Sequence, residues 1–198
     1  MNQYIWFLED LGMETAWDIT TGEISQRVGV VDTGLVRTHE DLITKDLTGY
    51  DFISDRNQAK DGDGRDADYQ DEGDGGNCWG MQMEDSWHGT HVAGSVLGDG
   101  SDSNGDIKGM APESHLYFQA IEQYCPSQSK YTLMGIPNDL NDLFAPAVGN
   151  GSRVHTNSWG SAVEGQYTTS SMQADISARA FENLTILFAA ANEGVDDN

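Results

Sequence analysis

The chain has 198 residues, with 10 basic against 33 acidic side chains and a formal charge of −23 at pH 7. That length supports one domain with a substantial core, so residues 1–198 are expected to form a single unit. A surface this acidic repels nucleic acid and anionic membranes and favours cations, and no apolar run approaches the roughly 20 residues that cross a bilayer.

The first ten residues lack the basic region and cleavage site of a secretory signal, and both ends read as cuts through a longer gene product. Val28-Gly29-Val30-Val31-Asp32-Thr33-Gly34 is a β-branched run closing on a carboxylate and a glycine, which predicts a buried parallel strand presenting Asp32 at its C-terminal end. His39-Glu40-Asp41-Leu42 reads as a turn with a structural histidine, and 49–53 as a short second strand. The segment from Asp55 to Asp74 is the least hydrophobic of the chain. Within it Asp61, Asp63, Asp66 and Asp68 place hard oxygen atoms close together, with glycines permitting tight curvature. Calcium takes six to eight oxygen ligands in irregular loops, so these four are candidate calcium ligands, and a solvated acidic loop is the alternative. The spacing is not that of an EF-hand.

His88-Gly89-Thr90-His91-Val92-Ala93-Gly94 predicts a tightly packed helix with His88 at its mouth. His88 and His91 could also form part of a zinc site, but no Glu stands between them and no third ligand is evident. Further on, 115–121 and 154–160 read as strands, 138–148 as a helix with Leu140, Leu143, Phe144, Ala147 and Val148 on one face, and 171–183 as another helix. The run 185–191 is a last strand, with Asn192 at its tip. Alternating strands and helices argue for an α/β fold, a doubly wound parallel sheet with helices on both faces. No glycine-rich phosphate loop follows the first strand, which disfavours nucleotide binding.

Val30-Val31-Asp32-Thr33-Gly34, His88-Gly89-Thr90-His91-Val92-Ala93-Gly94 and Ala191-Asn192-Glu193-Gly194 resemble, in order and wide spacing, three of the four signature blocks of the subtilisin-like serine peptidases. Gly109-Met110-Ala111-Pro112 and His155-Thr156-Asn157-Ser158-Trp159-Gly160 resemble further segments of secreted bacterial members. The resemblance spans nearly the whole chain. It implies a subtilisin-like fold cut short at its C-terminus, and an extracellular serine endopeptidase that acts as a monomer on polypeptide substrate. It also implies Asp32 as triad acid, His88 as general base and Asn192 as oxyanion donor, with Ser158, Trp159 and Gly160 along the substrate. Trp159 could equally belong to the core. The fourth block, a Gly-Thr-Ser-Met-Ala-like turn with the nucleophile, does not occur in residues 1–198, so this chain alone is expected to be inactive. Ala191 stands where the family has glycine.

Related peptidases carry an insertion like the acidic loop, which favours calcium there. Some bacterial relatives have cysteines at places matching Cys78 and Cys125, which implies a disulfide between them; two free thiols, or Cys78 and His88 as a reactive pair, are the alternatives. A non-catalytic, acidic calcium-binding module on the peptidase scaffold is the competing function.

Overall fold

The computed structural model describes residues 6–45, 47–78, 81–121 and 133–192. Two short helices, α1 (Trp6–Asp10) and α2 (Met13–Trp17), precede strand β1 (Arg27–Asp32). Strand β2 (Leu47–Asp51), the single-turn helix α3 (Arg56–Ala59) and two short antiparallel strands, β3 (Gly76–Cys78) and β4 (Met81–Met83), lead to helix α4 (His88–Leu97). Then follow β5 (His115–Ala120), α5 (Asn141–Gly149), β6 (Ser152–Asn157), α6 (Thr169–Ala180) and β7 (Thr185–Phe188).

Five strands form one sheet in the order β2-β5-β1-β6-β7, and every pairing in it is parallel. Strand β1 is central, hydrogen-bonded to β5 on one side and β6 on the other. Chain direction across the sheet reverses beside it, which puts its C-terminal end at a topological switch point, where open α/β sheets bind ligands.

The two faces of β1 explain the helices. Val30 packs into a cluster with Leu35, Ala93, Leu97, Leu116 and Phe118, on the α4 side. Val31 points the other way, into a cluster with Ile121, Leu140, Leu143, Phe144 and Leu184, on the α5 side. Each fully buried Val, Leu or Phe in these clusters contributes about 1.5–3 kcal/mol relative to exposure. The chain is therefore an α/β, doubly wound parallel sheet with helices on both faces, as the alternation of patterns predicts.

Element ends differ from expectation for local reasons. The helix expected over 138–148 begins at Asn141, because the Asp139 carboxylate accepts the Asn141 N–H at 3.0 Å and turns the chain first. The helix expected from 171 begins at Thr169, with Thr168 and Ser171 forming a reciprocal cap. The strand expected over 154–160 starts earlier and ends earlier, at Ser152–Asn157.

Between the layers lies one buried polar network. His155 is fully buried, its Nε2 2.7 Å from Gln119 Oε1 and its Nδ1 3.2 Å from Asn157 Nδ2. The Gln119 amide N–H donates to Leu143 O at 2.9 Å, and the Phe144 ring meets the imidazole edge-on at 4.9 Å. Burial drives the His155 pKa down to about 3, so the ring is neutral. A Cβ at Gly29 would stand 2.7 Å from His155 Cδ2, so glycine on the central strand makes room for this ring.

Candidate active site

Because the sheet is parallel, the C-terminal ends of β1, β6 and β7 share one edge, and the residues singled out in the sequence gather along it. Asp32 closes β1 and is 4% exposed. Its Oδ1 accepts the Thr33 N–H at 2.8 Å and lies 2.6 Å from His88 Nδ1.

Helix α4 is brought to that carboxylate by a close approach that only glycine allows. A Cβ at Gly89 would stand 2.2 Å from Gly34 O and 2.9 Å from Phe118 Cζ. The Gly89 N–H donates to Thr33 Oγ1 at 3.0 Å, and the Val36 N–H donates to Thr90 Oγ1 at 2.9 Å. These two threonines, which the sequence reading passed over, lock the helix mouth to the turn after β1. Trp87 enters the helix in the left-handed region at φ 51, a conformation that costs a non-glycine residue about 1–2 kcal/mol. His88 is half-exposed, and its pKa is raised, first by the hydrogen bond to Asp32 and also by its charge, against the opposing effect of burial. With the Nδ1–H donated to Asp32, the neutral ring carries its free lone pair on Nε2. A buried acid that orients a half-exposed imidazole can serve general-base chemistry at that nitrogen.

Along the same edge, Ser158, Trp159 and Gly160 continue directly from β6. Trp159 is partly buried against the second core cluster, and its ring meets Phe188 edge-on at 5.3 Å. Its indole nitrogen is buried with no hydrogen-bond partner among the described residues. A Cβ at Gly160 would meet open space. Asn192 follows β7 and is exposed, and Ala191 before it holds φ 73. The glycine expected there is thus replaced by alanine in a backbone conformation that suits glycine. The Ala189 N–H donates to Asn157 O at 3.0 Å, which ties the exits of β6 and β7 together. A concavity of about 360 Å³ lined by Val148, Arg153, Phe181 and Leu184 lies at the opposite end of β6 and β7, away from this constellation.

In the acidic loop, Asp61, Asp63 and Asp66 bring carboxylate oxygens within 4.8 Å of one another. Asp68 does not join them: its Oδ1 lies 3.0 Å from Arg37 Nη2 and accepts the Gln70 N–H at 3.1 Å. Asp63 has a raised pKa, chiefly from the charge of Asp66. Asp51 behind the trio is pushed up to about 7, by burial first and then, against the Ile53 N–H, by Asp61 and Asp66. Converging carboxylates of one sign suit a divalent cation, and Asp61, Asp63 and Asp66 are the three of the four candidate ligands that converge. The pairing of Cys78 with Cys125 involves residue 125, which lies outside the described residues.

The profile of the Subtilase family matches residues 24–198. An extracellular protease of Xanthomonas campestris pv. campestris is 33% identical over 201 residues, covering 92% of this chain and 32% of its own length. An extracellular basic protease of Dichelobacter nodosus is 44% identical over 78 residues, or 35% of this chain and 13% of its own length. Among solved structures, a protease from Pseudoalteromonas arctica PAMC 21717 superposes with a TM-score of 0.71 at 29% identity, covering 91% of this chain and 53% of that one. The chain thus spans about a third or less of these two curated relatives and about half of the solved structure.

Proposed function

The chain belongs to the subtilase family, and from that membership we propose that it supplies the acid, base and oxyanion donor of a serine endopeptidase. The observation that carries this reading is the 2.6 Å contact of His88 Nδ1 with a buried Asp32 at the end of the central strand. In the reaction, His88 Nε2 takes the proton of a serine hydroxyl as that oxygen attacks the scissile carbonyl, and returns it to the leaving amine. Asp32 fixes the tautomer and stabilises the imidazolium without itself becoming protonated. Asn192 donates its side-chain amide to the oxyanion. The flat exit of β6 at Ser158, Trp159 and Gly160 receives extended polypeptide substrate.

The nucleophile in this proposal is a serine outside residues 1–198. Ser86 is committed elsewhere, since its hydroxyl bonds the Asp74 carboxylate. An active-site-directed fluorophosphonate should leave the 198-residue chain unlabelled and should label a polypeptide that continues into a Gly-Thr-Ser block at that serine. Label on Ser86 or Ser158 would overturn the assignment. Relatives named extracellular proteases support secretion of the protein. Among the described residues no helix is long and apolar enough to cross a membrane.

Calcium belongs to the same proposal. Asp61, Asp63 and Asp66 would hold it, with Asp68 contributing to the loop through Arg37 and not as a ligand. When bound, the ion neutralises the carboxylates that otherwise repel within the loop. Binding to the folded state alone raises stability by mass action, about 2.7 kcal/mol at a hundredfold excess over Kd. Differential scanning calorimetry in calcium and in chelator checks this, and Asp63→Asn should abolish most of the difference. A calcium response without fluorophosphonate labelling of the longer polypeptide would favour the non-catalytic module.

A further inference from the structure

His88 opens a helix that its own N-cap residue does not cap. Trp87, in that position, makes no side-chain capping bond, is 42% exposed and holds φ 51. The first N–H groups of a helix have no acceptor within it, so acceptors come from elsewhere. For Gly89 the acceptor is Thr33 Oγ1, and for His88 it is Ser86 Oγ, at 3.3 Å. Ser86 reaches past Trp87 to close a local turn on the residue that carries the imidazole.

Ser86 is itself held at two points. Its N–H donates to Asp74 Oδ1 at 2.6 Å, and its hydroxyl donates to Asp74 Oδ2. A serine hydroxyl has one proton and two lone pairs, so with the proton given to the carboxylate a lone pair is left for the His88 N–H. The short ladder upstream sets up these contacts. Strands β3 and β4 pair antiparallel with Gly76 opposite Met83, which carries Asp74 and Gly75 alongside Asp85 and Ser86. The Gly75 N–H donates to Asp85 Oδ1 at 2.7 Å. Lys60, at the end of α3, gives its ammonium to the carbonyl oxygens of Gly73 and Gly75, the two residues that flank Asp74. The Asp74 carboxylate also stands where a negative charge suits the start of a helix. Its charge reaches the imidazole: the bond to Asp32 raises the His88 pKa most, burial opposes it, and the charges of Asp32 and then Asp74 add to the rise.

We propose that Asp74 and Ser86 are positioning residues for His88, the carboxylate fixing the serine and the serine hydroxyl fixing the first residue of α4. The proposal rests on the reading of Asp32 and His88 as acid and base. Without the two bonds, Trp87 is free to leave the left-handed region, which a bulky side chain disfavours, and the first turn of α4 loosens around His88. The imidazole then no longer meets Asp32 through Nδ1 alone, and the lone pair on Nε2 loses its fixed direction. Neither Asp74 nor Ser86 takes part in the proton transfer.

The test reads the tautomer of the ring and not turnover, so it stands apart from the labelling experiment. Two-bond ¹H–¹⁵N correlation spectra of the 198-residue chain with ¹⁵N-labelled histidine, recorded above the His88 midpoint, show which ring nitrogen carries the proton. His88→Gln assigns the signal. The wild type should hold the Nδ1–H form. In Ser86→Ala the ratio of Nε2–H to Nδ1–H should rise about fivefold or more, the worth of one ordinary hydrogen bond, and Ser86→Thr should restore it. Asp74→Ala, which releases the hydroxyl, should move the ratio in the same direction. Asp102→Asn, an exposed carboxyl elsewhere, should leave it in place. A merely structural pair would lower the melting temperature without changing the ratio, and an unmoved ratio in either variant overturns the proposal. Should Asp74→Ala fail to fold, Ser86→Ala, a change at an exposed side chain, decides alone. A wild-type ring in the Nε2–H form would overturn the Asp32–His88 pair itself, and this proposal with it.

Discussion

His155 and His88 sit on opposite sides of one design problem. His155 lies inside the sheet layers, where burial drives its pKa to about 3 and two amide side chains hold both ring nitrogens. His88 stands at the sheet edge, half-exposed, with one nitrogen on a buried carboxylate that raises its pKa. The first ring is satisfied on both nitrogens and inert; the second is satisfied on one and has the other to use. Reactivity here comes from withholding a partner at the surface, and rigidity from supplying every partner in the interior.

The largest way to break that contrast is to remove the partner of the edge histidine. In an active peptidase polypeptide containing this chain, Asp32→Asn should lower kcat about 10⁴-fold, the size such a change has in serine peptidases, with melting temperature little affected. Asn192→Ala should cost 10²–10³-fold, a magnitude known from subtilisin in this same family. Steady-state kinetics decides both, and a loss below tenfold at Asp32 would remove it from the machinery.

Next in size is the interior ring. His155→Ala deletes a fully buried side chain and strands Gln119 Oε1, while Asn157 Nδ2 keeps its bond to Leu187 O at 2.9 Å, and the change should destabilise the fold by about 3–5 kcal/mol. Denaturant titration checks it, and a cost below about 1 kcal/mol would mean the network contributes little. The wild-type ring also predicts a pH effect. Its folded pKa lies below the unfolded value, so its contribution is complete above about pH 6.5 and is lost as pH falls towards 3, by up to about 1.4 kcal/mol per unit.

The carboxyl at the end of β2, behind the acidic loop, has the opposite sign. Asp51, raised to about 7, keeps its proton in the folded state, so stability there is present below the ordinary carboxylate range and is lost as pH rises through 7. Asp51→Asn should raise the melting temperature in chelator at pH 8 and leave it nearly unchanged at pH 4. The smallest expected effect is at a glycine with room to spare. A Cβ at Gly94 in α4 meets nothing within 4 Å outside its own helix, so Gly94→Ala should stabilise by about 0.5–1 kcal/mol, whereas Gly89→Ala should separate helix from strand.

Much of this was legible in the chain because each feature has a local cause. The β-branched run before Asp32, the small residues after His88 and the alternation of strand and helix follow from periodicity and packing alone. The order of the strands did not, since β5 inserts between β1 and β2 through contacts distant in sequence. The acidic loop was legible as a set and not as individuals. Asp61, Asp63, Asp66, Asp68 and Asp71 look alike in sequence, yet Arg37 draws Asp68 away and Leu35 clamps Asp71 along the turn that follows Asp32. Only tertiary neighbours distinguish them.

The placement of the site residues on strands of different rank sets the order in which heat dismantles them. Asp32 ends β1, which is bonded along both sides, whereas Asn192 follows β7, the outer strand of the described sheet. Amides of Val30 and Val31 should exchange with solvent deuterium only through global opening, and those of Leu187 and Phe188 through local fraying. Warming would then loosen the segment carrying Asn192 first, while the Asp32–His88 pair stayed assembled until the sheet itself came apart.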